Sequence, residues 1–171
     1  MPIEVSLEGK ERILRLLNSL EEREMQKAVA VSAQRAAVAA RTAGTKHIRQ
    51  IYTIKSGDMK ARAKIESSSD GAILRVRGSM EEVAKYSAKQ YRRGVFVSIK
   101  RGNRAKVPRG FKLTGKFVAR EGNSRYPIRA LYGPAVPQLF GNPEVVEAMQ
   151  ERGGEVFETR LMHEIRYRLG V

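Results

Sequence analysis

Met25, Val29, Ala33, Ala36, Ala40, Gly44, Ile48 and Ile51 recur at three- and four-residue intervals, which commits this stretch to one long helix with a single apolar stripe. Glu21, Glu22 and Glu24 suit its N-terminus, where the helix dipole favours acids. Asn18-Ser19-Leu20 breaks it from a shorter helix that Ser6 would cap, with Ile13, Leu16, Leu17 and Leu20 on one side. The middle of the stripe holds only small residues, so another element can approach closely. Packing on a sheet is the ordinary use of such a face, and a helix–helix contact between subunits is the alternative.

The period then changes. Ser56-Gly57-Asp58 marks a turn that opens a short helical turn through Met59, and Lys60–Glu66 alternates with Ala61, Ala63 and Ile65 on one side. Asp70-Gly71 signals a hairpin, with Ile73–Arg77 as the returning strand. Glu82–Tyr86, Gly94–Lys100 and Gly115–Arg120 read as further strands, and the basic connection Arg101–Lys112 reads as a mobile loop. Tyr126–Gly141 is Pro-rich and cannot be one regular helix, yet its apolar content requires it to dock on something. Asn142-Pro143-Glu144 starts a last helix, with Val145, Val146, Met149, Val156, Phe157, Leu161, Ile165 and Leu169 as its apolar side and Gly170 as its stop. Gly153-Gly154 inside it should cost about 1 kcal/mol each relative to Ala. Either the helix breaks there or a neighbour packs too closely for a side chain. The expected class is therefore α+β, with long N- and C-terminal helices packed on an antiparallel β-sheet or small β-sandwich. A single domain of 171 residues has a helical part (1–55), a basic β-rich part (56–121), a Pro-rich arm (122–142) and a C-terminal helix (143–171).

Composition excludes several classes. With 42% hydrophobic residues the chain can build a core, and no apolar run reaches the roughly 18 residues of a membrane span. The absence of cysteine removes disulfides and thiolate metal sites. Met1-Pro2-Ile3-Glu4 lacks the basic and apolar regions of a signal peptide, so the expected home is the cytoplasm of the producing cell. The net charge is +15, but its distribution matters more. Residues 1–88 carry 16 basic against 11 acidic side chains, residues 89–120 carry 11 against none, and residues 121–171 carry 6 against 7. An acid-free stretch of this length points to a surface that meets a polyanion or an acidic neighbour. Its candidate residues are Arg92, Arg93, Lys100, Arg101, Arg104, Lys106, Arg109, Lys112 and Lys116.

Catalytic chemistry finds no foothold. His163-Glu164 begins like a zinc-protease motif, but Tyr167 stands where the second ligand would be. His47 and His163 read as polar flanks of helices. Leu113-Thr114-Gly115-Lys116 is only a fragment of a phosphate-binding loop and lies between strands. Glu147, Glu151, Glu155 and Glu158 recur as a solvated helix face rather than a carboxylate pair. The reading is a non-enzyme with no cofactor and no metal. Tyr86, Tyr91, Phe96, Phe111 and Phe117 interleave with the basic residues and could stack on bases, although sheet core is their ordinary role. No zinc finger, RNA-recognition signature or Gly-x-x-Gly clamp accompanies them, so any DNA contact would be nonspecific.

Two C-terminal segments carry a resemblance. Arg125-Tyr126-Pro127-Ile128-Arg129-Ala130-Leu131-Tyr132-Gly133-Pro134-Ala135-Val136-Pro137-Gln138-Leu139-Phe140 is similar to the LPI-x-x-LYGPSVPQ-x-F segment of the prophage minor tail protein Z family, with Ala135 in place of its Ser. Phe157 to Gly170 resembles that family's F-x-x-RL-x-HEI-x-YRL close. The Ala/Arg-rich helix leading into Ile48-Arg49-Gln50-Ile51-Tyr52-Thr53-Ile54-Lys55, and the basic middle, follow in the same order. The resemblance implies a structural tail-completion protein of a long-tailed bacteriophage or prophage, made in the bacterial cytoplasm and carried in the virion tail. It would act at the head-proximal end in head–tail joining. Its partners would be other tail and neck proteins, further copies of itself in a ring, and DNA passing through the lumen. Tyr132, Gly133, Pro134, Val136, Pro137 and Phe140 would then form an interlocking arm or a docked loop for assembly. The alternative is a free, nonspecific nucleic-acid-binding protein.

Overall fold

A computed structural model describes residues 22–170. The expected cap at Ser6, the short helix through Leu20 and the break before Glu22 lie outside those residues. The class is α+β: among the described residues two long helices accompany four small antiparallel sheets. The chain divides into two compact units, the first formed by residues 22–44, 64–75 and 146–170 and the second by 45–63 and 76–145.

The first unit takes most of helix α1 (Glu22–Ile51), the hairpin of β1 (Ala63–Ser68) and β2 (Gly71–Val76), and most of the last helix. The stripe expected on α1 is present but its burial is shifted: Ala28 and Ser32 are fully buried, whereas Ala33, Ala36 and Ala40 are half-buried. Those alanines line a cleft of about 550 Å³ together with Ala72, Leu74, Val146, Met149, Gly153 and Phe157. The small-residue stripe therefore meets both a helix and a strand of its own chain. The last helix, labelled α4 below (Pro143–Leu169), runs unbroken through Gly153-Gly154. A Cβ at Gly153 would lie 3.4 Å from the Cβ of Ala40, an ordinary contact, and one at Gly154 would meet nothing within 4 Å. Arg168 pins the end of α4 by pairing with Glu164 one turn back and with Glu24 of α1 at 3.3 Å.

The second unit opens with the end of α1 and helix α2 (Ser56–Arg62), anchored by the fully buried Met59. Lys60–Arg62, expected as strand, is thus helical, and the extended strand starts only at Ala63. Strand β3 (Met80–Glu82) runs into a 3₁₀ turn (Val83–Lys85), so Glu82–Tyr86 is not the strand expected there. Val83 and Tyr86 are both buried, and the Tyr86 amide donates to the Val83 carbonyl at 3.1 Å. A three-residue period puts both on one side of a 3₁₀ turn. The true strand, β4, is Ser87–Tyr91; it pairs with β5 (Gly94–Ser98), which pairs with β6 (Ala105–Val107). A second three-stranded sheet joins β7 (Gly110–Leu113), β8 (Lys116–Arg120) and β9 (Ile128–Ala130). The segment Arg101–Lys112, expected as a mobile loop, therefore supplies β6 and the start of β7. Its charges gave it a loop-like look, but its backbone hydrogen bonds are taken by β5 and β8. Thr114 and Gly115, at φ 47° and 85°, form the tight turn between β7 and β8. Positive φ at both central positions is what a type I′ hairpin needs, so this loop closes a hairpin rather than cradling a phosphate.

The Pro-rich passage resolves into β9, then β10 (Tyr132–Ala135), then helix α3 (Val136–Phe140). Strand β10 pairs with β3, and Leu131 ties the sheets by accepting from the Val83 amide and donating to the Phe117 carbonyl. Val83, Val95, Val97 and Phe117 form the core of this unit, with Ala88, Ile99, Val107 and Leu131 against them. Asn142 Oδ1 accepts from the Glu144 amide at 3.1 Å, the expected cap of α4.

Candidate functional site

Cross-strand register sorts the β4–β5–β6 sheet into two faces, because residues directly opposite share a face. Ala88, Val97 and Ala105 stand in one row and Gln90, Val95 and Val107 in another, and Val95 and Val97 are buried. The alternate rows, which face the other way, hold Ser87 with Ser98, and Lys89 with Phe96 and Lys106. The outer face is thus a lysine on each edge strand with an aromatic between them.

Tyr91 completes this face. Its ring meets Phe96 edge-on, with centroids 5.7 Å apart. The Arg104 guanidinium lies over both rings, 4.6 Å from the Tyr91 centroid and 4.9 Å from that of Phe96. Arg92 and Arg93 form the two-residue turn between β4 and β5 and line a shallow cleft of about 480 Å³ with Tyr91, Phe96 and Arg104. Gly94, at φ 117°, closes that turn.

Four of the nine expected basic residues therefore come together: Arg92, Arg93, Arg104 and Lys106. The other five do not join them. Arg101 is occupied at the end of α1, where its Nε donates to the Arg49 carbonyl at 2.5 Å and its amide to the Ile51 carbonyl at 2.8 Å. That is a helix cap, built on the unsatisfied carbonyls of a last turn. Lys100 is exposed and bridges to Tyr52. Arg109 donates to Asn123, Lys112 lies 5.9 Å from the Phe117 ring, and Lys116 pairs with Glu82 at 3.3 Å. Lys89 was missed as a site residue because the strand was placed at Glu82–Tyr86; a strand begun at Ser87 would have put it beside Phe96.

The aromatics also divide. Tyr86 and Phe117 are core, Phe111 lies under Arg120 at 5.2 Å, and only Tyr91 and Phe96 belong to the outer face.

The six residues proposed as an assembly arm are mostly folded inward. Gly133, Val136 and Phe140 are buried in their own unit, Pro134 and Pro137 are half-buried, and only Tyr132 is largely exposed. The docked form of that segment is the one present, and three of its residues cannot reach another subunit without unfolding. Gly133 passes so close to Tyr86 that a Cβ would lie 2.6 Å from its Cε2. The Tyr86 hydroxyl donates to the Pro134 carbonyl at 2.7 Å, and Gln138 Oε1 accepts from the Ala135 amide at 3.0 Å. Burial, helped by the nearby Glu81 charge and by Tyr52, pushes the Tyr86 hydroxyl up to about 12.

Glu81, opposite Gly133 on β3, is the buried carboxylate of this neighbourhood. It accepts from Arg62 Nε at 2.9 Å and from Lys85 Nζ at 2.5 Å. Burial alone would raise its carboxyl, but those two hydrogen bonds and charges outweigh it and hold the group below the ordinary carboxylate range. No motif announces this triad, since Arg62 comes from a separate element and meets Glu81 and Lys85 only in the fold.

Among the described residues no group of three or more His, Asp or Glu side chains could hold a metal. No helix among the described residues is long and apolar enough to cross a membrane. No protein-family profile, curated protein or solved structure matches the chain.

Proposed function

We propose that this chain is a structural tail-completion protein of a long-tailed bacteriophage or prophage, acting at the head-proximal end of the tail in head–tail joining. The observation that carries the reading is the pair of C-terminal segments, Arg125–Phe140 and Phe157–Gly170, that resemble the minor tail protein Z family. Their residues have specific structural work in this fold. Gly133 and Pro134 receive Tyr86, Gln138 caps α3, and Arg168 joins α4 to α1. A motif needed for such packing fits a family defined by a shared body rather than a shared reaction.

Its partners on this reading are further copies in a ring, other tail and neck proteins, and DNA in the lumen. The half-exposed Tyr132 is the member of the arm left to touch a neighbour. Electron microscopy of particles assembled with and without the protein tests the reading. Unjoined heads and tails in its absence are expected, and intact infectious virions would overturn it. A free nucleic-acid-binding protein is the second reading, favoured by the basic outer face of the β4–β5–β6 sheet. Tight DNA binding by a monomer that neither self-associates nor enters tail particles would support it instead.

A further inference from the structure

We infer that the outer face of the β4–β5–β6 sheet binds the sugar–phosphate backbone of DNA, through Lys89, Arg92, Arg93, Arg104 and Lys106, without reading or stacking on bases. The inference names a partner for the tail-completion reading and rests on it for the presence of DNA.

Five cations share this small sheet and its turn, and among the described residues none of them is in an ion pair. Lys89 and Lys106 stand on the two edge strands at one register with Phe96 between them, so their backbones lie roughly 10 Å apart. Mutual repulsion at that spacing is relieved by a polyanion that spans the sheet. Protein interfaces of stable affinity centre on apolar anchors with charges at the rim. Here the two available anchors, Tyr91 and Phe96, lie under the Arg104 guanidinium. That guanidinium occupies space beside both rings where an unpaired base would stack, although Tyr91 is still 43% exposed. What remains is Arg104 itself, exposed, held near two rings and in no ion pair among the described residues, with a guanidinium fork suited to phosphate oxygens.

Fluorescence anisotropy of the full chain with a labelled duplex, across a salt series, tests this. Five phosphate contacts give a slope of about −4.5 in log affinity against log salt, a roughly 500-fold loss between 50 and 200 mM. The triple variant Lys89→Gln/Arg104→Gln/Lys106→Gln should keep its far-UV circular dichroism and urea midpoint. Its slope should fall to about −1.8, a roughly 12-fold loss over the same range. Arg104→Lys should keep the slope and weaken binding, since the charge stays and the fork is lost. No duplex binding at 50 mM salt, an unchanged slope in the triple variant, or stronger competition by polyglutamate than by unlabelled duplex would each overturn the inference. Preferred binding of single strands through Tyr91 and Phe96, seen as loss of binding in Phe96→Leu alone, would overturn the backbone mode. A chain that completes tails but ignores DNA removes this inference and leaves the tail reading standing. One that binds DNA but is dispensable for virions does the reverse.

Discussion

Two groups of cations in the same unit are used in opposite ways. Around Glu81, Arg62 and Lys85 are held by a buried carboxylate beside Tyr86 and Gly133. On the β4–β5–β6 face, Lys89, Arg92, Arg93, Arg104 and Lys106 have no carboxylate partner among the described residues. The first group ties α2, β3 and the 3₁₀ turn together, and its two cations are already matched by the buried Glu81 carboxylate. The second does nothing evident for the fold and leaves its charge outward. A count of basic residues cannot separate these roles; the position of one glutamate does.

The strongest way to sharpen the contrast is Gly133→Ala. The new methyl would sit 2.6 Å from Tyr86 Cε2, with backbone on one side and a ring held by its own hydrogen bond on the other. Overpacking of this kind costs about 1–3 kcal/mol, and this site belongs at the upper end. Urea denaturation should show a lower midpoint with an unchanged slope. A midpoint equal to that of the parent would mean that Tyr86 moves freely and that the region is not a packing centre.

Glu81→Gln comes next, with an expected loss of about 1–3 kcal/mol, because a buried hydrogen-bonding charge is removed while Arg62 and Lys85 keep partial access to water. The sign of its pH dependence follows from a folded carboxyl held below its ordinary range. Its contribution is present above the unfolded-state value of about 4.3 and is lost as pH falls through the folded value. The parent should therefore lose more stability than Glu81→Gln between neutral and acid pH, measured as urea midpoints at each pH. Parallel curves for the two proteins would break the assignment.

Much of the architecture was legible in the sequence where one periodicity acts alone. The α1 stripe, the Asn142 cap and the alternation of Val95 and Val97 each answer to a local rule. Legibility failed where a local pattern has two readings. Glu82–Tyr86 fits a strand by its β-branched and aromatic residues and a 3₁₀ turn by the three-residue spacing of Val83 and Tyr86, and burial of both selects the turn. Residues Arg101–Lys112 read as a loop because strand pairing does not depend on side-chain charge. The basic surface was visible as a composition, but its members were not: Arg101 is spent on the α1 carbonyls, while Lys89 enters through a register that only the β4–β5 pairing reveals. Glu81 was invisible for the same reason, since its two partners come from separate elements.

A smaller effect is expected at Tyr86→Phe, which removes the hydrogen bond to the Pro134 carbonyl and should cost about 1 kcal/mol. Because the folded hydroxyl is raised to about 12, the parent gains stability from the neutral phenol. That gain is fully present below about 10, the unfolded value, and is lost as pH rises toward 12. Stability curves of parent and variant should therefore converge at alkaline pH. A constant gap up to that range would mean that the phenol titrates as it does in water.

The smallest effect on stability should come from the outer face, and its smallness is the informative part. Lys89→Gln and Lys106→Gln should each change stability by no more than about 0.5 kcal/mol, as for exposed side chains without a structural partner, and Arg104→Gln by no more than about 1 kcal/mol. Arg104 gives the sharpest case, since its contacts with Tyr91 and Phe96 are each worth about 0.5–1 kcal/mol at an exposed site, partly returned by relief of repulsion from Lys106, Arg92 and Arg93. Neutralising all five cations should therefore leave the protein at least as stable as before, and more so at low salt, where repulsion is least screened. If that variant instead unfolds as readily as Gly133→Ala, the face belongs to the fold and the contrast with the Glu81 group collapses. If the stability gain of that variant over the parent grows as salt falls, the charges are held against the preference of the free protein, as a surface kept for an anionic partner would be.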